Sequence, residues 1–262
     1  MTARSEGDAG RLASSFTDFL RTERPDLLPQ PFIGPVETTM ATTILAVRHA
    51  GGVVMAGDRR ATEGMTIAQR DIEKVFPTDS HSAIAIAGVA GPATELVRLF
   101  QTELEFYEKV EGEALSLAGK ANHLGRLIRA NLPAAMQGLV IVPIFAGFDT
   151  RRGEGRIYRY DVTGGQSEET DYHGTGSGGR DAKNSLKKLY TTAADIDRAR
   201  AVEMAVEALA DAAEEDAATA GPDPVHGIYP TVYSIGAEGV APVDDATVER
   251  VSRDVLDRRT RR

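Results

Sequence analysis

The sequence predicts an α+β protein in which two sheets are stacked between layers of helix. Short apolar runs cluster in blocks, and segments of helical spacing follow them in pairs. Neither the strict strand-helix alternation of a doubly wound fold nor a repeat of solenoid period is visible. With 262 residues, 42% of them apolar, the chain suits one large domain with a sizeable core.

The first 41 residues differ from the rest. Pro25, Pro29, Pro31 and Pro35 fall close together among Asp, Glu and Arg with little periodicity, which reads as a flexible leader. Residues 43 to 49 and 53 to 58 alternate as strands about a Gly51-Gly52 turn, a hairpin signal. Residues 82 to 88 form a short apolar run closed by Gly88, a third strand. From Pro92 to Glu111 the residues Leu96, Leu99, Phe100, Leu104 and Tyr107 recur at helical spacing. Leu117, Ala121, Leu124 and Ile128 do so again, with Pro133 placed to bend or end that helix. Strands return at Leu139 to Ala146 and Arg156 to Asp161. The stretch Gly174 to Gly179 is expected to open a helix running to Tyr190, and Val202, Ala205, Val206 and Leu209 mark another from Arg198 to about Ala213. A strand around Thr231 to Ile235 and a last helix from Asp244 complete the chain.

Composition narrows the chemistry. Net charge is −9 and the thirty basic residues are scattered, so a nucleic-acid surface is not expected; the short Arg258-Arg259, Arg261-Arg262 tail does not reverse this. The absence of cysteine excludes disulfides, thiolate metal sites and cysteine nucleophiles. His49, His81, His123, His173 and His226 never pair at ligand spacing, so no metal and no cofactor is expected. The first residues hold no apolar stretch of signal-peptide length and no later segment approaches a membrane span; a cytoplasmic location fits.

The most informative feature is the pair Thr42-Thr43 at the head of the first apolar run, preceded by the small Ala41. Asp58 follows Thr42 by sixteen residues and Lys74 follows Asp58 by sixteen more. A threonine hydroxyl is a weak nucleophile that needs a base. Its own α-amine, freed by cleavage of the preceding bond, is one known solution, with a pKa of about 7.7 to 8.0. A buried lysine nearby depresses the pKa of hydroxyl and amine through like charge, and an aspartate holds that lysine and compensates it.

Each piece has a plainer reading. Thr-Thr-Ile starts many strands because β-branched residues favour them, Asp58 suits a turn, Lys74 a solvated surface and Gly88 a turn or helix start. Thr38-Thr39 lacks the following apolar run. Gly174-Thr175-Gly176-Ser177-Gly178-Gly179 fits G-x-G-x-x-G, but the segment before it (Glu168 to His173) is polar where a central parallel strand is apolar. Glu103, Glu105 and Glu108 read as a solvated helix face.

Taken jointly the residues resemble a known family. From Thr42 to about Ser252 the chain is similar to the β-subunits of the 20S proteasome, most closely the actinobacterial type. The match rests on Thr42-Thr43-Ile44, on Gly51 to Arg60, on Lys74-Val75, on Ile86-Ala87-Gly88, on Ala134 to Gly138, on Gly176-Ser177-Gly178 and on Asp216 followed by Gly221-Pro222-Asp223.

The resemblance implies a four-layer αββα sandwich of the N-terminal-nucleophile hydrolase fold and a threonine endopeptidase. Residues 1–41 become a propeptide removed on maturation, and 42–262 the catalytic domain. Thr42 is then the nucleophile, Asp58 and Lys74 the family's acid and lysine, and Gly88 the residue whose backbone N–H forms the oxyanion hole. Ser177, Asp216 and Thr219 hold the terminal amine and relay protons, Thr219 standing where many relatives have serine. Ala61, Thr62, Ile72, Phe76, Ile86 and Ala90 bind the substrate residue on the acyl side of the scissile bond, so cleavage after hydrophobic residues is expected. Ala41 replaces the glycine usual before the nucleophile. The implied partners are α-subunit rings around seven-membered rings of this subunit (an α7β7β7α7 barrel), an ATP-driven ring ATPase and polypeptides tagged by a ubiquitin-like modifier. The alternative is a non-catalytic structural β-type subunit, but relatives of that kind have lost the nucleophile or lysine. A smaller bacterial relative with six-membered rings fits less well with the long leader and the chain beyond Gly174.

Overall fold

The computed structural model describes residues 42–64 and 66–260. The leader, Ala41 and the Thr38-Thr39 pair lie outside them. Two five-stranded sheets form, every pairing in them antiparallel. The first has the order β10-β1-β2-β11-β12, with β1 Thr43–His49, β2 Gly52–Gly57, β10 Tyr172–Gly176, β11 Thr231–Gly236 and β12 Gly239–Pro242. The second runs β5-β6-β7-β8-β9, with β5 Val75–Asp79, β6 Ser82–Gly88, β7 Ile141–Asp149, β8 Glu154–Tyr160 and β9 Gln166–Glu169. A small hairpin of β3 Ala61–Glu63 and β4 Thr66–Gln69 stands apart. The helices are α1 Ala90–Glu111, α2 Leu117–Ala130, the single turn α3 Leu132–Ala135, α4 Gly179–Leu189, α5 Arg198–Glu215 and α6 Asp245–Thr260.

The period of two in the strands decides the layering, because alternate side chains leave a sheet on opposite faces. In β1, Leu45 and Val47 pack with residues of α4, α5 and α6, whereas Ile44 and Ala46 pack against the second sheet. In β6, Ile84 and Ile86 meet α1 and α2, whereas Ala83, Ala85 and Ala87 face the first sheet. Three apolar layers result, one between the sheets and one under each helix group, which is the αββα sandwich. Helix ends follow local chemistry. Asp197 caps α5 by accepting from the Arg200 N–H at 2.7 Å, and Ser116 caps α2 by accepting from the Gly119 N–H at 3.1 Å.

Two expectations need correction. Gly174 to Gly179 does not open a helix: Tyr172–Gly176 is a strand, and α4 begins only at Gly179. A backbone that leaves β1's edge and turns into a helix here needs glycine, since Gly176 has φ +102° and a Cβ there would meet the Thr42 carbonyl oxygen at 1.8 Å. The first half of this glycine-rich stretch is therefore the end of an antiparallel edge strand, unlike the loop after a parallel strand in a nucleotide-binding unit. Pro133 lies outside α2 rather than late in it: of the two roles open to it, bending is excluded, since α2 ends at Ala130, before the proline, which sits in the first turn of α3, where no N–H is needed.

Candidate active site

Six chain segments converge at one end of the inter-sheet layer. Thr43 starts β1 with Thr42 just before it, Asp58 follows the last residue of β2, Lys74 precedes β5 and Gly88 closes β6. Ser177 lies in the β10–α4 turn, and Asp216 and Thr219 follow α5. The β1–β2 ladder continues past its last pair through the Asp58 N–H on the Thr43 carbonyl at 3.0 Å, and the β5–β6 ladder reaches back to Lys74, whose carbonyl accepts the Ile86 N–H at 2.9 Å. Both charged residues are thus carried by sheet backbone rather than by loops.

Asp58 is fully buried and Lys74 nearly so, at 0% and 2% side-chain exposure. Asp58 Oδ1 accepts from Lys74 Nζ at 2.6 Å and from the Thr43 N–H at 2.7 Å; Oδ2 accepts from the N–H groups of Arg60 and Ala220, both at 3.0 Å. One carboxylate thereby fixes the lysine and the strand that bears Thr42. Lys74 Nζ also donates to the Arg60 carbonyl at 2.5 Å. Burial pushes the lysine below its ordinary pKa, and the attraction of Asp58 opposes this without cancelling it, which raises the neutral fraction of the amine.

On the other side of β1, the Ser177 N–H donates to the Thr42 carbonyl at 3.0 Å, with the Ser177 hydroxyl 3.5 Å from the same oxygen. Thr219 Oγ donates to Asp216 Oδ2 at 2.6 Å, and the Ala218 N–H reaches Oδ1 at 3.1 Å. Burial raises the Asp216 pKa, but hydrogen bonds from Ser177, Thr219 and Ala218 outweigh it and hold the carboxyl below the usual value. Arg60 braces the same turn, its guanidinium donating to the carbonyls of Ala217 and Thr219 at 2.8 and 3.2 Å.

A cavity of about 320 Å³ opens beside Thr42, Lys74 and Gly88. Ala61, Ile72, Phe76, Ile86 and Ala90 line it, and Thr62, next along β3, does not. Gln69, Glu73, Ala93 and Thr94 also contribute. Glu73 neighbours Lys74 in sequence, Gln69 comes from the exposed strand β4, and Ala93 and Thr94 stand one helical turn after Ala90, a spacing that points them the same way. Gly88 has φ +135°, and a Cβ there would lie 2.1 Å from the Val140 carbonyl oxygen, so only glycine keeps this β6–β7 approach.

The sequence reading left Thr43 without a role beyond the pair. Its hydroxyl is completely buried, accepts from the Gly178 N–H at 2.9 Å and lies 2.6 Å from Thr219 Oγ.

The comparisons with known proteins agree with this geometry. A family model described as proteasome subunit matches residues 38–225. The chain is 59% identical over 211 residues to "Proteasome subunit beta" of Acidimicrobium ferrooxidans, covering 80% of this chain and 77% of that one. It is 51% identical over 252 residues to the protein of the same name from Streptomyces griseus subsp. griseus, covering 94% and 89%. With the one from Acidothermus cellulolyticus the identity is 53% over 252 residues, covering 93% and 86%. The sandwich, the site and these matches define the class: the chain belongs to the proteasome subunit family. Within it, the relatives make it a β subunit of actinobacterial type.

Proposed function

We propose that this β subunit is a threonine endopeptidase whose nucleophile, Thr42, is exposed when residues 1–41 are removed by cleavage of the Ala41-Thr42 bond. The observation that carries this reading is the buried Lys74–Asp58 pair, joined at 2.6 Å, whose lysine lines the same cavity as Thr42. Burying a charged pair costs desolvation, and a lysine with a lowered pKa that lines a cavity beside a candidate nucleophile is the pattern of a functional site.

In the mature chain, Thr42 Oγ attacks the scissile carbonyl carbon. The hydroxyl proton passes to the α-amine, whose basicity is set by Lys74 on one side and by Ser177 and Asp216 on the other. The Gly88 N–H supports the developing oxyanion, a contribution worth about 10²- to 10³-fold in rate. The proton is then given to the leaving amine, an ester on Thr42 remains, and water hydrolyses it to regenerate the hydroxyl and release the acyl fragment as a carboxylic acid. Leader removal uses the same atoms: Thr42 Oγ displaces the Thr42 nitrogen at the Ala41 carbonyl, and water cleaves the resulting ester. No free α-amine exists at that stage, so Lys74, whose lowered pKa suits a base, takes the hydroxyl proton and passes it to the Thr42 nitrogen as the C–N bond breaks, which leaves that nitrogen as the free α-amine. The apolar part of the lining, Ala61, Ile72, Phe76, Ile86 and Ala90, favours cleavage after hydrophobic residues, with little discrimination among them, since each methylene is worth about 1 to 3 kcal/mol.

The subunit works inside a particle of α and β rings, fed by an ATP-driven ring with polypeptides bearing a ubiquitin-like tag. Enclosure restrains an unselective nucleophile, and exposing Thr42 only on assembly prevents stray cleavage. The test is the intact mass and N-terminal sequence after co-expression with the α subunit. A chain starting at Thr42 is expected, and Thr42→Ala is expected to keep the leader and lose peptidase activity while retaining its fold. A wild-type chain keeping residues 1–41 in a full particle overturns the catalytic reading in favour of a structural ring component.

A further inference from the structure

We propose that Thr43 is a positioning residue: its buried hydroxyl locks the start of β1 to the Asp216–Thr219 turn and to the head of α4, and so sets where Thr42 stands. The proposal rests on the reading of Thr42 as nucleophile and adds a residue that this reading does not use.

The direction of the hydrogen bonds follows from counting protons. Each hydroxyl has one. Thr219 gives its proton to Asp216 Oδ2 at 2.6 Å, so in its contact with Thr43, also 2.6 Å, Thr219 accepts and Thr43 donates. Thr43 Oγ in turn accepts from the Gly178 N–H at 2.9 Å. The result is a one-way chain from the Gly178 N–H through Thr43 and Thr219 to the Asp216 carboxylate, with both hydroxyls at 1% exposure or less. Gly178 makes room for it: a Cβ there would lie 2.7 Å from Thr219 Oγ and 2.8 Å from Thr43 Oγ, so the two hydroxyls fill the space of its absent side chain.

The backbone of the same residue reaches the other half of the site, because the Thr43 N–H donates to Asp58 Oδ1, the oxygen that also holds Lys74. Thr43 therefore spans Lys74–Asp58 and Thr219–Asp216, with Thr42 one peptide away. Strand geometry sends adjacent side chains to opposite faces, which is why Thr43 points to the helix layer while Thr42 faces the cavity. Once the leader is gone Thr42 becomes a chain end, and the anchors on Thr43 and on the Thr42 carbonyl hold it against fraying. A displacement of about 1 Å in a reacting group can cost roughly 10²-fold in rate.

The test compares Thr43→Val, Thr43→Ser, Thr219→Val and the double variant Thr43→Val/Thr219→Val as co-expressed particles. The readouts are steady-state kinetics on a fluorogenic peptide with a hydrophobic residue before the scissile bond, intact mass for leader removal, and thermal unfolding. Valine keeps the β-branched shape and replaces the hydroxyl by a methyl group that can neither donate nor accept. The expected result for Thr43→Val is a kcat lower by about 10²-fold with KM little changed and slower leader removal, and Thr43→Ser restores kcat to near wild type. The double variant should be no worse than the poorer single one, because residues of one network do not add. Thr219→Val breaks the same chain outside β1 and keeps the test readable where Thr43→Val does not assemble. An active wild-type particle in which Thr43→Val has normal kcat, changes KM alone, or is not rescued by serine overturns the role of Thr43. A wild-type particle that is inert and keeps its leader overturns the nucleophile assignment instead, and this role with it.

Discussion

At the scale of single residues, Asp58 and Lys74 are a buried pair with unequal dependence on each other. Removing one partner of such a pair typically costs about 3 to 5 kcal/mol, because a charge is left alone in the interior. Here the carboxylate also accepts three backbone N–H groups, from Thr43, Arg60 and Ala220, which alone support an anion. Lys74→Met is therefore expected to cost only about 1 to 3 kcal/mol of stability while abolishing peptidase activity. Asp58→Ala orphans three donors and the lysine at once and is expected to prevent folding. Denaturant unfolding beside peptidase assays checks both, and a Lys74→Met protein that still cleaves peptides contradicts the assigned role. The spacing of Thr42, Asp58 and Lys74 was legible because each sits at the end of an apolar run in a strand or beside one. The role of Thr43 was not, since its partners lie 135 and 176 residues away and only the fold brings them together.

At the scale of elements, long amphipathic segments and central strands could be read because burial imposes a period on them. Among the described residues six strands escaped notice, β3, β4, β5, β9, β10 and β12, all of five residues or fewer and too short to show such a period. All four residues of β4 are exposed, β9 is Gln-Ser-Glu-Glu with three exposed positions, and β10 pairs on one side only, with β1. Yet β10 places Ser177, and Gly176 is the residue that lets it do so. Gly176→Ala should break the approach to the Thr42 carbonyl, displacing the Ser177 N–H bond and blocking leader removal together with a marked drop in thermal stability. Gly153 offers the control: it also has positive φ, +70°, but a Cβ there meets nothing within 4 Å. Gly153→Ala should cost only the dihedral penalty of about 1 kcal/mol and leave processing intact. Thermal unfolding and intact mass of the two variants separate backbone strain from lost contact, and equal effects on processing would contradict the role given to β10.

At the scale of the whole molecule, the site lies where two sheets meet, and its walls belong to both. Thr42 and Asp58 adjoin strands of the first sheet, while Lys74, Ile86 and Gly88 belong to strands of the second or adjoin them. Sheet separation is set by the layer between them, which is rich in small side chains: Ala46, Ala83, Ala85, Ala87 and Ala146 interleave with Ile44, Val53, Met55, Ile144 and Ile157. Packed interiors have little spare volume, so added methylenes move backbone rather than fill space. Ala85 is fully buried, and within β6 it lies one residue from Ile86, which lines the cavity, and three from Gly88. Ala85→Leu is expected to cost about 1 to 3 kcal/mol by overpacking and to reduce peptidase activity far more than that loss implies, because the sheets carry the lysine and the nucleophile apart. Ile144→Val removes one methyl from the same layer and should cost about 0.5 to 1.5 kcal/mol with activity unchanged, since a small void leaves the sheet spacing alone. Chemical denaturation together with kcat/KM on assembled particles tests this. An Ala85→Leu particle that is destabilised but fully active would mean that the geometry at Thr42 is held locally by Asp58 and the β1–β10 edge rather than by the distance between the sheets.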